Sequence, residues 1–163
     1  MNTIFRGKHW SIQRFISGFA NNAFLITCKQ TNKSVIIDAP AKPTSLISAA
    51  KNTEVTAILI THGHRDHVDG LMDVTGHFDV PIGIGIADRG SLPESAQASI
   101  NLVTDHDLEI GNIVIQAVAT PGHTQGSTCL SSSQLTTIMN MPIFSVATLY
   151  FLVAQENRRR IHD

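Results

Sequence analysis

The chain has 163 residues, which fits a single domain able to bury a real core and leaves no room for a second full one. With 12 Lys and Arg against 13 Asp and Glu it is close to neutral, which excludes the electrostatic footprint of a nucleic-acid or anionic-membrane binder and points to a small-molecule partner. Charged residues are 15% of the chain against roughly 25% in ordinary soluble domains, so an unusual share of the surface is apolar or uncharged, and self-association through it is one expectation.

From Trp10 to Ile37 there are three strand candidates. Ala23–Cys28 and Ser34–Ile37 are the clearer two, joined by a polar turn at Gln30–Lys33. Asp38, Ala39 and Pro40 stop the last of them, and Pro43 then opens a short helix to about Lys51. Val55–Ile60 is a continuous apolar run, the pattern of a strand buried on both faces, and it delivers the chain into His62. Val68–Thr75 reads as the helix that follows, Pro81–Ile86 as the next buried strand, and Asp88–Ala98 as a loop or irregular helix. Asp107–Ile110 and Ile113–Ala119 read as two strands hinged at Gly111 and Asn112, with His123 just beyond the second and another short strand at Thr128–Leu130.

After Leu130 the character changes. SSSQLTT is polar, Ile138–Ala154 is almost entirely apolar, and Arg158–Arg160 is a basic end best read as solvated. The apolar run is 17 residues and includes Asn140, Pro142, Ser145 and Thr148, so membrane contact through 138–154 is the lesser reading and a helix packed on the domain, or a tail, the preferred one. Cys28 and Cys129 stand in strand-like apolar contexts and imply no disulfide framework, and MNTIFRGKHW lacks a secretory h-region. The expected setting is therefore reducing and cytoplasmic.

The chemistry concentrates in Thr61–Gly70, THGHRDHVDG, where His62, His64, Asp66 and His67 fall within six residues. Such groups are costly to bury without partners and each binds divalent metals. In an extended segment residues two apart point the same way, so His62 and His64 can face one ion while Asp66 and His67, at the turn into the helix, face a neighbouring one. His123 is the natural third imidazole. Three neutral imidazoles leave zinc its full charge and an open position, which lowers the pKa of bound water to about 7 and supplies hydroxide at neutral pH.

The HxHxDH pattern at His62–His67, the apolar strand before it, the NNAFLI and VIIDAP strands upstream and PGHTQGS at Pro121–Ser127 together resemble the metallo-β-lactamase superfamily, and most nearly its glyoxalase II-like hydrolases. The resemblance covers about residues 10–130. It implies an α/β fold, the αββα sandwich, present here as its N-terminal half only. It further implies a first metal held by His62, His64 and His123, a second to which Asp66 and His67 contribute, and a catalytic role for Asp66 in orienting the attacking hydroxide. The ions implied are one or two Zn2+, with Fe or Mn as alternatives, and the substrates of the superfamily include thioesters, lactones, β-lactams and phosphodiesters.

The chain then departs from the pattern. Relatives place a Gly-Asp on the strand after Thr128–Leu130, whose carboxylate bridges the metals, and a later histidine that completes the second site. Here that region reads LTTIMNMP, with Asn140 and Met141 about where Gly-Asp belongs and only Glu156, His162 and Asp163 beyond. The 33 residues after Leu130 are too few for a second sheet and its covering helices. Residues 1–130 are thus expected to form a partial family domain, apparently truncated or diverted into an off-family segment at 131–163. Two functional expectations follow: a zinc-dependent hydrolase of a small thioester, ester or lactam, or a non-catalytic metal-binding fragment of such an enzyme. His9, His77, His106 and His162 lack ligand spacing and read as surface or satisfied polar histidines, and Asp38 is divided evenly between turn chemistry and support of the metal site.

Overall fold

The computed structural model describes residues 2–17, 21–103 and 106–132. The segment from 133 on, with Asn140, Met141, 138–154, Arg158–Arg160 and His162, lies outside the described residues, so the expectations placed there are not addressed. The described elements run β1 (Asn2–Arg6), β2 (Trp10–Ser17), β3 (Asn21–Cys28), β4 (Lys33–Ile37), α1 (Thr44–Ala50), β5 (Glu54–Leu59), α2 (Arg65–Val68), α3 (Leu71–Thr75) and β6 (Ile82–Ile84). A 3-10 helix follows at Ile86–Ser91, then β7 (Ile100–Asn101), β8 (His106–Ile110), β9 (Ile113–Ala119) and β10 (Thr128–Ser131).

Strands β1 to β7 form one seven-stranded sheet in chain order, and β10-β9-β8 a second, three-stranded one. β1 through β4 pair antiparallel as a meander, whereas β4–β5, β5–β6 and β6–β7 pair parallel, with α1, α2 and α3 in the crossovers. Parallel strands buried on both faces call for near-continuous apolar residues, which is why the stretch 57–60 does not alternate, while the half-buried Thr56 donates its hydroxyl to Ser34 O at 3.0 Å. Leu25, Ile36 and Ile58 pack with Leu46, Ile47 and Ala50 of α1 and Leu71 and Val74 of α3 on one face. Phe24, Ile26, Val35, Ile37, Ala57 and Leu59 pack with Leu108, Ile110, Ile113, Ile115 and Ala117 of the second sheet on the other. The described layers are therefore helix, sheet, sheet, the N-terminal half of an αββα sandwich.

Several sequence expectations shift. The helix expected at Val68–Thr75 is two short helices, α2 beginning inside the motif at Arg65 and α3 at Leu71. The break falls at Gly70, whose amide donates to Ala39 O at 2.8 Å and where an added Cβ would run into Pro40 O, so no side chain fits where the chain turns. The strand expected at Pro81–Ile86 is only Ile82–Ile84, because the chain turns into the 3-10 helix at Ile86. β1 and the two-residue β7 add edge strands that the periodicity did not indicate. The second sheet is not wholly missing, since its first three strands come from residues before 132.

Candidate metal centre

After β5 the chain leaves the core at Ile60, which is fully buried, and reaches the half-buried Thr61. The backbone is still extended at His64, with φ −68° and ψ 141°, and becomes helical at Arg65. This change of conformation puts His62 and His64 on a strand-end loop and Asp66 and His67 on the first turn of α2. Gly63 between them is required by packing, since an added Cβ would lie 2.7 Å from Ser91 Cβ and 3.1 Å from Asp88 Cβ.

The third imidazole arrives from the second sheet. β9 ends at Ala119, and the loop 120–127 closes on itself through Thr120 N to Ser127 O (2.8 Å), Gly122 N to Thr124 O (3.0 Å) and Thr124 N to Ser127 Oγ (3.0 Å). His123 stands on this loop, and Thr124 and Ser127 shape it through these bonds. The first residue of β10 ties the loop to the other side of the site, Thr128 N donating to Thr61 O at 2.8 Å.

One ring nitrogen from each of His62, His64 and His123 lies within 4.8 Å of the other two. His64 Nδ1 and His123 Nε2 are 2.9 Å apart, although 59 residues separate them in sequence. Tetrahedral zinc with N ligands at about 2.0–2.1 Å needs N···N separations of roughly 3.3 Å, a value between the 2.9 Å of the His64–His123 pair and the 4.8 Å that bounds the set, so the three donors fit a metal. His67 is adjacent, its ring centroid 4.1 Å from that of His62, and Asp66 Oδ2 is 3.8 Å from His67 Nε2. Of the five residues singled out from the sequence, His62, His64 and His123 thus converge, with His67 beside His62 and Asp66 beside His67. His9 and His77 are exposed, and His77 Nδ1, in the turn after α3, lies 3.0 Å from Asp73 O of that helix.

Protonation favours ligation. Burial, together with the charges of neighbouring His67, His123 and His64, pushes the His62 pKa down to about 4, so this ring is neutral at pH 7. His67 is the opposite case: burial disfavours its charge, but the Asp38 carboxylate 3.0 Å from Nδ1 and the Asp66 charge outweigh it and raise the pKa. A carboxylate facing Nδ1 requires a proton there, which leaves the Nε2 lone pair free for a metal.

Two carboxylates hold the loops from behind. Asp38, only 3% exposed and with φ at 59°, accepts from Thr61 N (2.8 Å), Thr61 Oγ1 (2.8 Å) and His67 Nδ1 (3.0 Å), which settles its divided reading as support of the histidine loop. Asp88, in the 3-10 helix, accepts from Gly63 N (2.8 Å), Thr124 Oγ1 (2.6 Å) and Gly126 N (2.9 Å), and despite burial these bonds hold its pKa below the ordinary range. Nothing in the local sequence pattern marks Asp88. It acts through main-chain amides 25 and 38 residues away, and no local spacing records that. Asn21 Nδ2, at the start of β3, donates to Asp66 O at 3.2 Å and so touches the same loop.

The metallo-beta-lactamase superfamily model matches residues 16–137. A probable hydroxyacylglutathione hydrolase of Schizosaccharomyces pombe is 35% identical over 69% of this chain and 44% of its own length. A hydroxyacylglutathione hydrolase of Citrobacter koseri is 30% identical over 72% of this chain and 45% of its own. The chain spans less than two thirds of the curated relatives it matches. Among solved structures, a metallo-beta-lactamase from Staphylococcus aureus superposes with a TM-score of 0.65 at 23% identity, covering 77% of this chain and 38% of that one, a likeness of fold. The fold implies divalent metal binding, and the match across both histidine motifs, with the hydroxyacylglutathione hydrolase relatives, places this chain in the metallo-beta-lactamase superfamily.

Proposed function

We propose that the chain is a metal-dependent hydrolase acting on a small thioester, ester or lactam, with His62, His64 and His123 as the first set of metal ligands and Asp66 and His67 as contributors to a second. The observation that carries this reading is the convergence of three imidazoles, from loops at the ends of two different sheets, to within 4.8 Å. Zinc, with iron or manganese as alternatives, would supply Lewis acidity and hydroxide at neutral pH for attack on the carbonyl. His62 contributes a ring already neutral, so no proton need leave it before ligation. His67 is held by Asp38 with Nε2 free. Asp66, half exposed and beside His67, would accept a hydrogen bond from the attacking oxygen and so orient it.

A second reading is favoured by one sequence observation: Asn140 and Met141 stand where the bridging Gly-Asp belongs. An asparagine has no charge to bridge two cations, so the chain would then bind metal without turnover. Residues 1–130 are taken in both readings as the family-like unit and 131–163 as an off-family segment, in a reducing cytoplasmic setting. Metal analysis of the purified chain, followed by thioester and β-lactam hydrolysis screens of the parent and His62→Ala, separates the two. Turnover abolished by His62→Ala supports the enzyme; metal bound without turnover supports the second reading; folded protein with no metal sinks both.

A further inference from the structure

The Asp88 carboxylate reaches both halves of the site at once. It is 7% exposed, so its oxygens are not offered to a substrate. Oδ2 accepts from Gly63 N, the residue between His62 and His64, and from the Thr124 hydroxyl, the residue after His123. Oδ1 accepts from Gly126 N in the same His123 loop. The approach leaves no slack: a Cβ on Gly126 would fall 2.6 Å from Asp88 Cγ, and Gly85 packs directly on the Gly126 carbonyl. A carboxylate is the side chain for such a position because it is acceptor-only and can take all three donors.

We infer that Asp88 is a positioning residue that sets the separation of His123 from His62 and His64, and through it the affinity for the metal, without being a ligand itself. The inference rests on the metal-centre reading above. The Thr128 N to Thr61 O bond ties the same two loops elsewhere, so the fold does not hang on Asp88 alone, whereas the Asp88 bonds fall on the residues next to or near the imidazoles themselves. Asparagine is the discriminating replacement. It has one acceptor oxygen and an NH2 group, so whichever way the amide is turned, the Gly63 or the Gly126 amide meets a donor and its loop is released.

The test uses the full chain as parent, Asp88→Asn, Thr124→Val and the exposed control Asp107→Asn. Circular dichroism and melting establish folding, a chromophoric chelator in competition gives zinc affinity, and amide exchange is followed in metal-free protein. Asp88→Asn is expected to weaken zinc binding by about 10–100-fold, the usual effect of losing an outer partner, and to speed exchange at Gly63 or Gly126. Thr124→Val, which keeps both amide bonds, is expected to lose less, and Asp107→Asn nothing. Folded Asp88→Asn with parental affinity overturns the inference, even with a lowered melting temperature. If Asp88→Asn does not fold, Thr124→Val decides, and parental affinity there overturns it. Folded parent that binds no zinc overturns this inference together with the function it rests on, whereas parental binding unchanged in the variants overturns this inference alone.

Discussion

Replacing Asp38 by asparagine isolates what its charge does for the histidine loop. Asparagine tolerates the left-handed backbone at φ 59°, where alanine would add roughly 1–2 kcal/mol of strain and confuse the result. The amide oxygen keeps the Thr61 donors, but the NH2 group must then face His67 Nδ1. Hydrogen bonds to a charged partner are worth about 1.5–3 kcal/mol, against about 0.5–1.5 for neutral ones, so the variant should lose about 1–3 kcal/mol and several degrees of melting temperature. The chemical consequence is sharper. An NH2 donor at Nδ1 favours the tautomer with the proton on Nε2, the atom needed for a metal. His67 has a raised pKa in the parent, so the pair with Asp38 stabilises metal-free protein fully below about pH 6.5, and that stability is lost as pH rises through the folded value. Urea melts of parent and variant should therefore differ more at pH 6 than at pH 8, NMR of His67 should show the switched tautomer, and zinc affinity should drop about tenfold or more. An unchanged tautomer with unchanged zinc affinity would refute the reasoning.

Three further outcomes are expected. His64→Ala and His123→Ala, both at exposed positions, should leave the melting curve nearly intact while weakening zinc binding by more than the roughly 100-fold that loss of an outer partner costs; retained affinity in calorimetry would remove that residue from the ligand set. His62, with its pKa lowered to about 4, stabilises metal-free protein above about pH 6.5 and withdraws that stability as pH falls towards 4, so denaturant midpoints should decline across this window in the parent and less steeply in His62→Asn, and parallel profiles would contradict this. Gly70→Ala would put a Cβ 3.0 Å from both Pro40 C and Pro43 Cδ, and should cost about 1–3 kcal/mol in thermal unfolding; an unaltered melt would mean that the break between α2 and α3 is not packed as described.

What could be read from the sequence was what local pattern encodes. The apolar run before His62 has the pattern of a strand buried on both faces, and the structure makes it β5, an interior strand of the first sheet. Residues two apart in an extended loop share a direction, so His62 and His64 could be paired without coordinates, and the turn chemistry of PGH marked the tip where His123 stands. Edge elements escaped because β1 is largely polar and β7 has two residues, too short for any period to register. The break at Gly70 and the role of Asp88 escaped for another reason: each depends on contact with main chain distant in sequence, Gly70 on Pro40 and Asp88 on Gly63 and Gly126. Asp38 lay between these cases, since an Asp before Ala-Pro suits a turn, and only its reach to Thr61 and His67 identifies what it holds.

The central claim is that His62, His64 and His123 form a metal site, and titration of the folded, metal-stripped full chain with zinc addresses it most directly. At least one equivalent should bind per chain, with the imidazole resonances of all three histidines shifting together as the first equivalent is added. Folded protein that takes up no zinc, iron or manganese, or that binds zinc while these three resonances stay in place, would contradict it.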